Sequence, residues 1–355
     1  MTKQRNSSLE LIRLICIFFV VAWHTIGPYV NDMTGGNLVA TSFIHAISNN
    51  TNLLFMLLSG YFGIRFKLDK LIKLDIAIIF YDLLNLFLFT GFSVKGLVTA
   101  CMPVIFKTHW FVSCYFVIAF LSPFLNKIPE KLSREKFRAL LLLLLLLFYI
   151  VPTVFFSEII EDTGKGVVCM SIMYLVGRYL FLYYKDVHFK RSRLALVCLG
   201  SMLLSSALNL VLTRLQGVYM SMFVRDNSIL VVVAAVSFFL FFREMHFSNR
   251  LINHLVPNVV ILYCIEGYGR HILANFIDVS RYQGGPLFLP VLLGFAALVL
   301  VGCILVNELR RLILGPVDDM LTNFIMKLIQ KITLAIRNFG QKLHALALSF
   351  LGANN

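Results

Sequence analysis

Ten runs of mostly apolar residues, separated by short polar links, make up most of the chain. They lie near residues 9–30, 40–63, 74–92, 109–126, 138–156, 166–184, 194–213, 227–242, 256–276 and 286–309. A helix rises 1.5 Å per residue, so a run of about 20 apolar residues crosses the hydrocarbon core of a bilayer. The pattern therefore predicts an all-α integral membrane protein of about ten transmembrane helices. The shortest run, Ile229 to Phe242, is the hardest to delimit. The first run holds Arg13 within its apolar stretch and has no small-x-small cleavage site after His24, so it reads as a retained span and not a secretory signal.

No link before the tail is long enough to form a soluble domain of its own. Two outer links, Lys95 to Lys107 and Arg214 to Arg225, are apolar enough to lie flat in the interface, either roofing a cavity or packing on neighbouring helices. After Pro316, Leu321, Phe324, Ile325, Leu328, Ile332, Ile336, Phe339, Leu343 and Phe350 recur at helical spacing, while Lys327, Lys331 and Lys342 keep largely off that stripe. Such a basic amphipathic helix suits an anionic inner leaflet, with a dimer contact as the other reading. The expected division is a ten-span domain over 1–312 and a cytoplasmic interfacial amphipathic tail over 316–352.

Composition agrees with lipid as the main solvent: 59% of residues are hydrophobic, 14% are charged, and the mean hydropathy is +0.83. The net charge of +14 raises the question of a nucleic-acid partner. Of the 32 Lys and Arg, 23 fall in links on the side of the N-terminus, 6 on the other side and 3 (Arg13, Arg178 and Arg270) inside spans. That asymmetry predicts both ends inside and leaves no basic excess for nucleic acid to explain. The seven cysteines form no CxxC pair, and all but Cys101 fall inside spans, so they read as packing residues. The histidines are dispersed without metal-ligand spacing, and no glycine-rich phosphate loop is present. No metal and no permanently bound cofactor is expected.

Ionisable groups inside a span cost about 2.5–3.5 kcal/mol each at the helix centre, so each needs a partner, a wet cavity or a function. Here the set is Arg13, His24, His45, Asp82, Arg178, Glu266, Arg270 and His271, which points to a polar interior. Arg13 and His24 are eleven residues apart, so at 100° per residue they share one helical face, roughly 16 Å apart along the axis. Each has a plain alternative, Arg13 as a snorkelling anchor and His24 as an interfacial residue.

The stretch SSLELIRLICIFFVVAWH, with its Arg, ten residues and His, resembles the opening of the membrane acyltransferase-3 family, which includes bacterial O-acetyltransferases of cell-surface polysaccharides. FMLLSGYFG at 55–63, HWFVSCYFVIAFLSPFLNKI at 109–128 and ILYCIEGYGRHIL at 261–273 resemble further family spans. Lys67, Lys70 and Lys73 stand where the family usually has arginines, and Glu266 stands where it often has a histidine.

The resemblance implies an acetyl-CoA-dependent O-acyltransferase in a bacterial cytoplasmic membrane, with acetyl-CoA as co-substrate and a glycan or lipid-linked sugar as acceptor. Acetyl-CoA is anionic and cytoplasmic, so Arg13, Arg178, Lys67, Lys70 and Lys73 are its expected contacts, although positive-inside topology alone also accounts for the lysines. An acceptor hydroxyl needs a general base, and His24 is the candidate. His45, Asp82, His109, Glu266 and Arg270 are expected to support the site or face the acceptor. The competing class is a transporter or flippase whose proton relay would use Asp82, His24 and Glu266.

Overall fold

The computed structural model of the protein describes residues 6–350, so Lys3, Arg5, the Phe350 side chain and the last residues of the expected tail lie outside the description. The described residues form helices and no strand. The helices of eight residues or more are α1 (Ser7–Ile26), α2 (Gly35–Phe62), α3 (Leu68–Asn85), α4 (Val94–Cys101) and α5 (Trp110–Leu125). Then come α6 (Arg134–Leu145, continued through a π-turn to Phe155), α7 (Val167–Tyr184), α8 (Arg191–Gln216), α9 (Ile229–Arg243), α10 (Val259–Ala274) and α11 (Phe288–Phe350). A helix thus lies on each of the ten apolar runs, and α4 is an added short helix in the Lys95 to Lys107 link.

Among the described residues, seven helical segments are long and apolar enough to cross a bilayer. Among the other helices on the runs, α9 has only 15 residues, and α2 carries a polar stretch of Asn49, Asn50 and Thr51, all buried inside the bundle. A helix enclosed by protein need not be apolar all round, which explains why α2 reads weakly as a span.

Two glycines set the closest helix crossing. A Cβ on Gly60 of α2 would sit 1.9 Å from the Tyr174 carbonyl oxygen, and one on Gly177 of α7 would sit 2.2 Å from that of Leu57. Only hydrogen fits at either place, so the two backbones touch as small residues allow in membrane helices. Hydrogen bonds then tie the ends of the bundle. At the end holding the start of α1, Ser7 N–H donates to the Phe247 carbonyl at 2.9 Å, and Asn126 Nδ2 donates to the Ile64 carbonyl at 3.0 Å. At the opposite end, Tyr219 N–H donates to Asn31 Oδ1 at 3.0 Å, and Asn37 Nδ2 donates to the Gln283 carbonyl at 2.8 Å. These are called the near and far ends below.

The second of the flat links ends in a buried stretch: Val224, Arg225, Asp226, Asn227 and Ser228 are all buried. Polar pairing draws this segment inward, with Asn49 Nδ2 donating to the Val224 carbonyl at 2.7 Å and Asn52 Nδ2 to Asp226 Oδ1 at 2.6 Å. Arg225 meets Glu158 at 2.7 Å. The tail is continuous with the last apolar run, because α11 continues through Pro316, across the division drawn between 312 and 316. Proline removes one helical hydrogen bond, but Arg310 bridges that point with two bonds of 2.7 Å to the Asp318 carboxylate, and both side chains are buried. At 63 residues α11 is about 94 Å long, three times the hydrocarbon thickness, so its second half must leave the membrane. Leu328, Ile332, Ile336 and Phe339 along that half are exposed.

Candidate active site

Helix α1 starts at Asn6, whose side chain accepts from the Ser8 N–H, and it runs unbroken through both Arg13 and His24. The shared face inferred from spacing is therefore retained. His24 is near the far end, and its Nδ1 lies 2.7 Å from Glu266 Oε1 on α10. Glu266 in turn accepts from Arg270 Nε at 2.5 Å, one turn further along α10. Arg270 also donates from its guanidinium to the His24 carbonyl at 3.0 Å, so it holds both partners.

This arrangement orders the imidazole. An ionised carboxylate only accepts, so Nδ1 carries a proton, and in the neutral ring the lone pair is then on Nε2. Glu266 is buried, whereas the His24 side chain is 36% exposed, which leaves Nε2 room to meet another group. Thr25, Tyr29, Arg270, His271 and Asp278 line an open cavity of about 370 Å³ on this side of α10. Asp278 at its rim is held below the usual carboxylate range by hydrogen bonds from Ser280, with Arg281 adding to the effect.

Between Arg13 and His24, on the same face of α1, Ile17 and Val20 line an enclosed slot of about 20 Å³ closed by Thr51, Phe55, Phe111 and Tyr263. Its volume has room for about one water. Arg13 pairs with Glu10 one turn before it, and both side chains are largely buried. Arg178 lies against the α2–α7 crossing: it donates to the Gly60 carbonyl at 3.5 Å, its guanidinium lies 5.4 Å from the centre of the Phe181 ring, and its buried Nε has no hydrogen-bond partner. Lys67 and Lys70 are exposed at the near end. Lys73 pairs with Asp319 of α11, and since both are exposed the pair is worth at most about 1 kcal/mol and is easily exchanged for another anion.

The remaining candidates divide into two groups. His109 Nε2 lies 2.9 Å from Asp82 Oδ1, and Tyr268 O–H donates to the same oxygen at 2.8 Å, a cluster on the other side of α10 from Glu266. His45 is stacked on Trp23, ring centres 3.5 Å apart and 9° from parallel, and its Nδ1 meets Tyr219 O–H at 2.9 Å. His45 is buried, and these contacts make it a packing residue that steadies the segment around His24. Sequence reasoning placed His24, Glu266 and Arg270 in one set without their order. It missed Glu10, whose spacing of three before Arg13 was the available signal, and Tyr268 and Tyr219, whose hydroxyls carry no such signal.

Among the described residues no group of His, Cys, Asp and Glu could hold a metal ion. A family model described as an acyltransferase domain matches residues 6–308. Comparison with curated proteins and with solved structures gives no match.

Proposed function

Because the chain belongs to the membrane acyltransferase-3 family, we propose that it moves an acetyl group from cytoplasmic acetyl-CoA to a hydroxyl of an extracytoplasmic glycan or its lipid-linked precursor. The observation that carries this reading is the His24–Glu266–Arg270 set, with Nδ1 held by a carboxylate and Nε2 free.

In this reading the bundle has ten spans with both ends inside, so the near end faces the cytoplasm. The CoA phosphates dock there against Arg178, Lys67, Lys70 and Lys73, and Arg13 exchanges Glu10 for an anionic group of the donor. The acetyl-bearing arm points up the Arg13–His24 face through the slot beside Ile17 and Val20, which must widen to admit it. His24 Nε2 takes the proton from the acceptor hydroxyl as its oxygen attacks the thioester carbonyl and the carbon–sulfur bond breaks; the departing CoA thiolate takes that proton from the imidazolium, which returns His24 to its neutral form. Glu266 stabilises the imidazolium that forms, and Arg270 keeps that carboxylate in place.

The α11 extension rests its apolar stripe on the inner leaflet with its lysines toward lipid phosphates. Membership of an acyltransferase family supports transfer over the transport reading. Incubating purified protein with labelled acetyl-CoA and a glycan acceptor tests it: the label should move to the glycan, and its failure to leave CoA in folded protein would overturn the proposal.

A further inference from the structure

Tyr268 is two residues beyond Glu266, and at 100° per residue that places it on the opposite side of α10. Two polar centres therefore flank the far half of this helix. In the second, Asp82 is only 4% exposed, and both of its ligands, His109 and Tyr268, bind Oδ1. Its Oδ2 is buried and has no hydrogen-bond partner among the described residues. Leaving such an oxygen unpaired carries its full desolvation cost, which a donor from a ligand would recover.

Asp82 opens into a cleft of about 370 Å³ under α4, whose walls supply Asn85, Thr90, Ser93, Thr99 and, at the rim, Lys95. These are groups suited to hydroxyls, with one cation for a phosphate. Adjoining it through Asn85 and Tyr268 is an almost wholly apolar groove of about 430 Å³ between α3, α10 and α11. Leu88, Leu298 and Val306 on its walls are more than half exposed, so it opens sideways on the face that lipid covers. A polar cleft joined to a lipid-facing groove matches a ligand with a hydroxyl-rich head and a hydrocarbon tail, and neither half alone would require one.

We propose that groove and cleft together bind a lipid-linked saccharide. Its chain lies in the groove, its phosphate meets Lys95, and sugar hydroxyls donate to Asp82 Oδ2. The site holds a membrane-borne acceptor at the same end of the bundle as His24, and Phe89 on the groove wall packs against His271 on the wall of the His24-side cavity, ring centres 5.9 Å apart. This deepens the acyl-transfer reading by choosing the lipid-linked precursor over a finished polymer, and it rests on that reading only for the fate of the sugar.

The test is photolabelling of the whole protein in phosphatidylcholine nanodiscs by a diazirine-bearing prenyl diphosphate N-acetylglucosamine, without acyl donor. Label should fall on the groove walls in α10 and α11 and be displaced by the unlabelled compound. A Cβ on Gly302 meets no atom within 4 Å, so Gly302→Phe adds its ring to the groove without disturbing the backbone, and labelling should fall at least tenfold. The isosteric Asp82→Asn should weaken the sugar-bearing probe at least fivefold while leaving a sugarless prenyl phosphate unaffected. Equal displacement from wild-type protein by phosphatidylglycerol, or labelling that ignores both substitutions, would overturn the site. Acetylation of a soluble oligosaccharide by wild-type protein that does not take up the probe would also overturn it, while leaving acyl transfer intact.

Discussion

Replacing Glu266 by Gln changes almost no volume but removes the charge that orders the site. In the native arrangement the carboxylate accepts from His24 Nδ1 at 2.7 Å and from Arg270 Nε at 2.5 Å. A glutamine amide can instead donate to Nδ1, and that stabilises the tautomer with its proton on Nε2, where no base remains. The lost charge-assisted bond is worth about 1.5–3 kcal/mol, which corresponds to a rate lowered about 10- to 150-fold. Arg270 is 26% exposed, so water takes over part of its solvation and folding should survive. Affinity for acetyl-CoA should hold, because Glu266 lies toward the far end. Single-turnover transfer from labelled acetyl-CoA, with donor binding measured in parallel, gives both values. Turnover within threefold of wild type would refute the assignment of Glu266 as the residue that orients His24.

Arg13→Ala should raise the dissociation constant for acetyl-CoA at least tenfold in a binding assay, and Arg13→Lys should fall between, because lysine keeps the charge without the planar fork. An unchanged constant would leave Arg13 as no more than the partner of Glu10. Introduced cysteines between Asn31 and Asn37 should react with an impermeant maleimide from outside, and those between Lys127 and Arg138 should be protected; the reverse would invert the two-sided scheme. Burial raises the pKa of Asp226, with Lys165 and Asn52 partly opposing. A raised folded-state pKa means stability that is complete below the unfolded value of about 3.8 and is lost as pH climbs through the higher folded value. Asp226→Asn should therefore melt above wild type at pH 7 and level with it at pH 4, and a variant less stable at both would show that the charge is needed.

The apolar runs disclosed the helices because each needs its length of hydrocarbon, and run and helix generally begin within a few residues of each other. The departures came where tertiary pairing outweighs local pattern. Arg225 ends an outer link and Asp226 follows it, and nothing in the local pattern shows that Asn52 and Glu158 draw them in. The division drawn between 312 and 316 is spanned by the Arg310–Asp318 bridge. Within the site, the Arg13–His24 face follows from helix geometry alone. The bond from His24 to Glu266 joins residues 242 apart, and no periodicity reaches that far. The partition of Asp82, His109 and Tyr268 onto the other side of α10 was equally hidden, since it depends on how α3 and α5 pack around that helix.

The central claim is that His24 is the general base. Its substitution by Gln keeps a hydrogen-bonding side chain of similar reach that cannot take a proton. Acetyl transfer by purified, folded His24→Gln, measured beside acetyl-CoA binding, is the most direct test. General-base catalysis contributes about 10²–10⁴-fold, or roughly 3–5 kcal/mol, so transfer should fall by that factor with donor affinity unchanged. Transfer within about threefold of wild type would contradict the account and assign the proton to another residue.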